Sequence, residues 1–317
     1  MLKAKQIIIL PLLLTIIVGL FSFYGCSSTS TTPNTTATSS LAGIPAENLN
    51  QQQLQQMLSD SVINYKSLNT YKLDIAMDIS TNVTGGSNPW GMTLNTKMGG
   101  GTNIASEQTQ MKLDMSMAME GMGQNGENQS LTYDMYAMPD WLYMKVSMPG
   151  TGEQWMKVRM SSTLKDKLNL NTVDQQMEPL DSPTKVEYLR TEKVDGIDCY
   201  VLSISPSVDE LARWLGKEAA GSEKVDWQKL INDSGAFKNF SFLCYIAKDT
   251  SLIMRMVMNM AIELSAAEAG AETSDFDKMQ MNLAMDMKLS DHNKPYSITL
   301  PDEAVSAQEV SEDIFSQ

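Results

Sequence analysis

Sulfur-bearing side chains are the residues of this chain whose spacing points most clearly to chemistry. The 317 residues include 25 methionines and three cysteines but only one histidine. Methionine recurs at alternate positions in three segments, residues 111–119, 252–264 and 279–289. A period of two is typical of a β-strand with one buried and one solvent-exposed face. The thioethers of each segment are therefore predicted to project from one face.

This methionine-rich face allows three interpretations. Methionine fills irregular gaps in ordinary cores, but it also lines surfaces that accept ligands of varied shape. Two thioethers at positions i and i+2 could instead share a Cu(I) ion. We predict that the face binds a lipid or another long apolar ligand. The alternatives are a filled core that has only a structural role and a Cu(I) site. The residues predicted to line it are Met77, Met111, Met115, Met117, Met254, Met256, Met258, Met260, Met281, Met285 and Met287.

Catalytic motifs are missing from the sequence. It contains no Gly-x-Ser-x-Gly, no His-Glu-x-x-His and no phosphate-binding loop. The single histidine, His292, stands beside Asp291 and Asn293 in a predicted turn, where it is expected to be solvated. The sequence therefore predicts a protein that is not an enzyme and that needs neither a cofactor nor a metal.

The charge of the chain limits its partners. Its formal net charge is −14, and no basic run is present. A nucleic-acid-binding protein needs a basic patch, so that class is excluded. Because an acidic surface is repelled by anionic lipid headgroups, any membrane attachment is expected to be covalent.

The N-terminal residues 1–25 have the pattern of a secretory signal peptide. Lys3 and Lys5 precede an apolar run over residues 7–23, and a small residue then precedes Cys26. This arrangement resembles the bacterial lipobox, which implies that a diacylglycerol is attached to Cys26 and that the protein is exported and held at a cell membrane or outer membrane. An uncleaved anchor helix, or an ordinary signal peptide cut nearby, is the alternative.

Three further parts follow the leader. Residues 26–44 are rich in Ser and Thr and are predicted to be a flexible tether. Residues 45–305 are predicted to form the folded domain, and residues 306–317 an acidic tail. Within the domain, Cys199 and Cys244 both lie in strand-like segments, so they are either a disulfide or two buried thiols.

The domain is predicted to be mainly β, of the α+β class. A helix over residues 45–68 precedes a long series of alternating segments joined by short turns, with glycines 99–101 read as a loop and Asp195-Gly196 as a hairpin turn. A helical insertion is expected between residues 206 and 237. Long antiparallel strands in one meander tend to curl into an open or closed barrel.

The order of these elements resembles the LolA/LolB and LppX/LprG superfamily. The residues that carry the resemblance are Trp141, Tyr143 and Lys145, then Glu153, Trp155 and Lys157, and finally Val194-Asp195-Gly196 with Tyr200. The resemblance implies an unclosed half-barrel whose concave side, plugged by helices, holds acyl chains. In this chain Leu211, Trp214 and Leu215 of the insertion would form the lid or plug, and an envelope protein would be a possible partner.

Overall fold

The structure is a computed structural model, and it describes residues 48–86, 89–121, 129–148, 152–162, 164, 180, 185–207, 209, 237–266 and 276–312. The predicted leader with Cys26, the tether, and the predicted plug residues Leu211, Trp214 and Leu215 lie outside these ranges. Within the described ranges, no helix combines the length and apolarity that a bilayer-spanning helix requires.

Twelve strands form one sheet in the described part of the chain. They are β1 (Thr70–Thr84), β2 (Trp90–Asn103), β3 (Gln108–Glu120), β4 (Gln129–Ala137), β5 (Trp141–Met148), β6 (Gly152–Arg159), β7 (Lys185–Val194), β8 (Ile197–Ser205), β9 (Phe237–Ala247), β10 (Ile253–Ser265), β11 (Lys278–Ser290) and β12 (Gln308–Glu309). Their order across the sheet is β12-β6-β5-β4-β3-β2-β1-β11-β10-β9-β8-β7.

Every neighbouring pair in this order is antiparallel except β12 and β6, which are parallel. The strands at the two ends of the order, β7 and β12, do not pair with each other, so the sheet is not closed. The prediction of a mainly β fold built on an unclosed antiparallel sheet is therefore confirmed.

Alternation of apolar and polar residues fixes which face of the sheet is buried. On β1, Ile75, Met77 and Ile79 are buried while the residues between them are exposed. Their partners on β11 are Met287, Met285 and Leu283, which are buried as well. These side chains belong to the main hydrophobic cluster, and the face that carries them is called the core face below. The opposite face is called the outer face.

One long helix, α1 (Gln51–Lys66), packs into the same cluster. It begins at Asn50, where a reciprocal pair of 3.0 Å hydrogen bonds with Gln53 forms a capping box. The buried residues Leu58, Val62 and Tyr65 join the main cluster, and the helix contacts β7 and β10. The predicted leading helix is thus present, although it starts six residues later than the sequence pattern suggested.

The predicted glycine loop at residues 99–101 is wrong, because these residues lie inside β2. Gly100 is required there by close backbone contact: a Cβ at this position would lie 2.0 Å from the carbonyl oxygen of Gln110. The turn instead spans residues 104–107, and β3 begins only at Gln108. The predicted hairpin turn at Asp195-Gly196 is confirmed, with φ values of 49° and 87°.

The C-terminal residues extend the sheet beyond the predicted domain end at 305. After a short helix, α2 (Asp302–Val305), the strand β12 pairs with β6. The backbone N–H of Val310 donates to the carbonyl of Lys157 at 2.9 Å. The Ser161 hydroxyl donates to a Glu312 carboxylate oxygen at 2.5 Å. The described part of the predicted tail is therefore docked against the edge of the sheet.

Candidate apolar ligand-binding face

Rows of apolar and sulfur-bearing side chains cross the core face. Residues directly opposite each other on antiparallel strands point to the same face, so the strand register shows which side chains are neighbours. One such row crosses eight neighbouring strands in the order β8, β9, β10, β11, β1, β2, β3 and β4. Its residues, in the same order, are Ile204, Phe242, Met258, Met285, Met77, Thr96, Met115 and Leu131. Methionines from segments far apart in the chain thus meet on one surface.

Most of the methionines predicted to share a face do so. Those buried within the main cluster are Met77, Met111, Met256, Met258, Met260, Met281, Met285 and Met287. Met115 and Met117 pack against the same cluster but are only partly buried. The sequence pattern therefore predicts the composition of the core face well.

Met254 is the exception, and the prediction that it shares the core face is wrong. Ile253 pairs with Ile246 and Arg255 pairs with Tyr245, so β10 contains one extra residue at this point. Such a bulge breaks the period of two. Met254 consequently packs in a second cluster with Val201 and Tyr245 rather than in the main one.

Burial of the core face decreases toward β3 and β4. Met285 on β11 is 6% exposed, whereas Met115, Met117 and Met119 on β3 are only half-buried. Leu131 and Tyr133 on β4 are half-buried beside them. We call these five residues the β3–β4 patch. Burial raises the pKa of Tyr133 to about 12.

Two threonine hydroxyls lie on the core face without hydrogen-bond partners among the described residues. Thr81 and Thr96 are both 3% exposed, and the Oγ1 atom of each is buried. Thr96 lies opposite Met77, and Thr81 lies opposite Met92 and Met281. Both threonines occupy core-face positions of the alternating apolar and polar pattern, so the sequence could have indicated them. The prediction did not include them.

Cys199 and Cys244 are free thiols in the structure. Cys244 belongs to the main cluster, whereas Cys199 belongs to the second cluster with Val201 and Tyr245. The two cysteines thus point to opposite faces of the sheet, which rules out the disulfide in this arrangement. Of the two alternatives drawn from the sequence, buried thiols are observed, and burial raises the pKa of both.

The tryptophan and lysine residues that carry the superfamily resemblance do not line the core face. Leu142 and Met144 of β5 are buried in the main cluster, so Trp141, Tyr143 and Lys145, which alternate with them, point outward. The Lys145 ammonium lies 3.1 Å from a carboxylate oxygen of Asp134 and 5.9 Å from the centre of the Trp155 ring. These residues brace neighbouring strands on the outer face.

Two open depressions also lie on the outer face. One, of 540 Å³, is lined by charged side chains including Asp74, Lys97, Lys112, Asp114, Asp286 and Lys288. The other, of 320 Å³, is lined by polar side chains including Asp78, Ser80, Asn239, Asn259 and Asn282. Charged and polar side chains project into both depressions from the outer face, so neither is part of the methionine-rich core face.

His292 differs from the solvated histidine that was predicted. It is half-buried in the turn after β11, and its imidazole forms a hydrogen bond with the backbone of Ile253. Burial lowers the pKa of His292, because the charged imidazolium is poorly solvated there. Within the described residues, no group of three or more His, Cys, Asp or Glu side chains is placed to hold a metal ion.

Comparison with solved structures found several similar proteins. The chain is similar to LprF from Mycobacterium bovis, with a TM-score of 0.41 and 12% identity, over 79% of this chain and 97% of that one. It is similar to the lipoprotein LppX from Mycobacterium tuberculosis, with a TM-score of 0.38 and 13% identity, over 79% of this chain and 100% of that one. The group that the sequence resembles includes LppX.

A DUF1329 family protein from Desulfovibrio piger is also similar, with a TM-score of 0.22 and 12% identity, over 79% of this chain and 95% of that one. A comparison with curated protein sequences found no match. The sequence profile of one family, described as a family of unknown function (DUF6612), matches residues 53–309, which include α1 from its third residue and the sheet from β1 to β12. The chain therefore belongs to the family of unknown function DUF6612.

Proposed function

We propose that the protein is an exported lipoprotein, anchored through Cys26, that binds a lipid or another long apolar ligand on the core face of its sheet. No catalytic step is part of this function. The observation that carries the proposal is the continuous methionine-rich surface that becomes half-exposed at the β3–β4 patch. The patch would be the place where the ligand enters.

The composition of the face supports a ligand rather than a rigid filled core. Leucine, isoleucine and valine specify a unique packing better than methionine does. Methionine has three rotatable bonds, so a row such as Met258, Met285 and Met77 can adapt to a flexible alkyl chain. Burial of a chain of about fourteen carbons would contribute roughly 10 kcal/mol at ~0.8 kcal/mol per CH₂, before the cost of ordering the chain.

The two threonine hydroxyls support a ligand that carries oxygen. A buried hydroxyl without a partner costs about 1–3 kcal/mol. An ester or hydroxyl group of a bound lipid would satisfy Thr81 or Thr96 and would fix the ligand in one orientation. An unsubstituted alkane would leave both hydroxyls unsatisfied.

The experiment compares two charge substitutions on one strand. Met117 and Ser116 are neighbours on β3, where Met117 packs against the main cluster and Ser116 is exposed on the outer face. The chain from residue 27 onward is titrated with a fluorescent fatty acid, and bound lipid is extracted from the purified protein and identified by mass spectrometry. We expect Met117→Glu to weaken binding at least tenfold and Ser116→Glu to leave it unchanged.

The alternative of a structural envelope module predicts a different result. A filled core would yield no extracted lipid and no saturable fluorescence with the unmodified protein. Equal loss of binding in both variants would also contradict the proposal, because it would indicate a general effect of negative charge rather than an effect on the core face.

A further inference from the structure

The helix α1 buries a side-chain amide that lacks a hydrogen-bond partner. Asn64 is only 4% exposed, and its Nδ2 atom, which carries two N–H donors, is buried. Within the described residues, no acceptor is placed to receive a hydrogen bond from it. A buried donor without an acceptor costs folding free energy, and asparagine is also a poor helix former. The unpaired amide of Asn64 therefore lowers the stability of the ligand-free protein.

Neighbouring polar side chains on α1 show that burial alone does not leave such a group unpaired. Ser61 is 0% exposed, and its hydroxyl donates to the Met57 carbonyl oxygen at 2.8 Å. The Asp60 carboxylate, which is 9% exposed, accepts from the Gln56 side-chain amide at 2.7 Å. Both groups thus find partners within the helix. Asn64 differs from them because its donor needs an acceptor from outside α1.

Asn64 faces the same cluster as the core face of the sheet. Met57 lies seven residues, or two helical turns, before Asn64, and Ser61 lies three residues before it. The three side chains therefore share one side of α1. Met57 belongs to the main cluster, as do Met258 and Met285 of the core face. A lipid chain between α1 and the sheet would pass the Asn64 amide.

We propose that Asn64 donates a hydrogen bond to the carbonyl oxygen of an uncharged acyl group, such as an ester, in the bound lipid. This inference rests on the proposed lipid-binding function, and it adds the chemical class of the polar group that the ligand carries. A carbonyl oxygen has lone pairs and no proton, so it matches a buried donor that has no acceptor of its own.

The Asp60 carboxylate disfavours a negatively charged group at this position. Residues four apart on a helix have Cβ atoms about 5–6 Å apart, so Asp60 lies beside Asn64. Its partner Gln56 is uncharged and does not neutralise it. Two negative charges this close in a buried place repel each other. An ionised fatty acid would still bind through its alkyl chain, but more weakly than its ester.

The test places two lipids in competition for the full chain. The unmodified protein and its variants are purified in the same mild detergent and equilibrated with a subsaturating, equimolar mixture of deuterated methyl oleate and deuterated oleic acid at pH 8. Bound lipid is recovered by gel filtration and quantified per mole of protein by mass spectrometry. Lipid carried by the detergent is the same for every variant, so it cancels in the comparison.

Three kinds of variant separate the roles of the polar groups on α1. Asn64→Ala and Asn64→Leu remove the donor and are expected to lower the amount of bound ester about fivefold. Ser61→Ala is the matched control, because its hydroxyl is already paired within the helix, and it should leave ester binding unchanged. Asp60→Asn should raise bound acid relative to bound ester by about threefold, since it removes the repelling charge.

Thermal unfolding of the delipidated proteins gives a second measurement that does not depend on any lipid. Asn64→Ala should raise the melting temperature by about 2 °C, because it removes an unpaired donor and introduces a better helix former. Ser61→Ala should not raise it, because a satisfied hydrogen bond is lost. A hydrogen-bonded, purely structural Asn64 predicts the opposite sign for Asn64→Ala.

The outcomes distinguish this inference from the function on which it rests. Unchanged ester binding in both Asn64 variants, or a melting temperature of Asn64→Ala several degrees below that of the unmodified protein, would overturn the role of Asn64 and leave lipid binding intact. An unchanged ratio of acid to ester in Asp60→Asn would overturn the preference for an uncharged group. Absence of both lipids from the unmodified protein would overturn this inference together with the proposed function.

Discussion

The side-chain amide of Gln51 pairs with the backbone of Val186 on β7, the last strand at one edge of the sheet that the described residues form. With its nitrogen oriented toward the carbonyl, the Gln51 amide donates to the Val186 carbonyl oxygen at 2.9 Å and accepts from the Val186 N–H at 2.8 Å. A further strand would make these same two hydrogen bonds. Because unpaired edge strands promote association between chains, α1 protects β7 as well as burying apolar surface.

Loss of this amide is therefore expected to weaken the edge. Gln51→Ala should lower the free energy of unfolding by about 1–2 kcal/mol, since two backbone groups of Val186 lose their partner. Urea denaturation measures the change, and light scattering reports any association at the exposed edge. Gln52→Ala is the control, because Gln52 is an exposed neighbour on the same helix. Equal effects of the two substitutions would contradict the pairing.

Close backbone packing at Gly100 makes a second prediction. A methyl group at this position would meet the carbonyl oxygen of Gln110 at 2.0 Å, and backbone atoms cannot move away as a side chain can. Gly100→Ala should destabilise the protein by roughly 3 kcal/mol or more. Gly91→Ala on the same strand should change stability little, because the nearest atom to its Cβ is 3.8 Å away. Similar melting temperatures for the two variants would show that β2 and β3 separate easily.

The alternating pattern of the sequence predicts most of the strands and the composition of the core face. It fails at residues 99–101, because three consecutive glycines have no side-chain pattern and resemble a loop, whereas Gly100 permits β2 and β3 to approach closely. It also fails at Met254, because a bulge depends on pairing with β9 and leaves no trace in the periodicity of β10 alone.

Features that depend on distant pairing could not be predicted from the sequence. The first strand pairs with β11, about two hundred residues away, and no local pattern indicates this neighbour. The placement of Cys244 beside Met256 has the same origin, since it requires the register of β9 against β10. The sequence thus predicts which face a residue occupies more reliably than which residues lie beside it.

The lipid anchor is tested on the full chain in cells. If Cys26 carries a diacylglycerol, the protein should incorporate an alkyne-tagged fatty acid and should sediment with membranes, because buried acyl chains contribute ~0.8 kcal/mol per CH₂. Cys26→Ala should lose the label and leave the membrane fraction, whereas Cys199→Ala should keep both properties. A Cys26→Ala protein that stays in the membrane without the label would instead support an uncleaved anchor helix.

His292 predicts a pH dependence of stability. Burial lowers its pKa in the folded protein by more than the hydrogen bond to the Ile253 backbone raises it. As the pH falls through about 6.5, the ordinary pKa of histidine, the unfolded chain binds a proton that the folded protein does not. The free energy of unfolding should therefore decrease from pH 7.5 toward pH 5, until the folded protein also becomes protonated.

The chain contains no other histidine, so this contribution can be isolated. The nearby Asp291 does not interfere, because hydrogen bonds from Lys294 and Lys72 lower its pKa to about 2, below this range. Urea denaturation of His292→Gln should give a flatter dependence on pH between 5 and 7.5 than the unmodified protein gives. Parallel curves for the two proteins would show that His292 remains equally protonated in both states, and that its partial burial has no effect on stability.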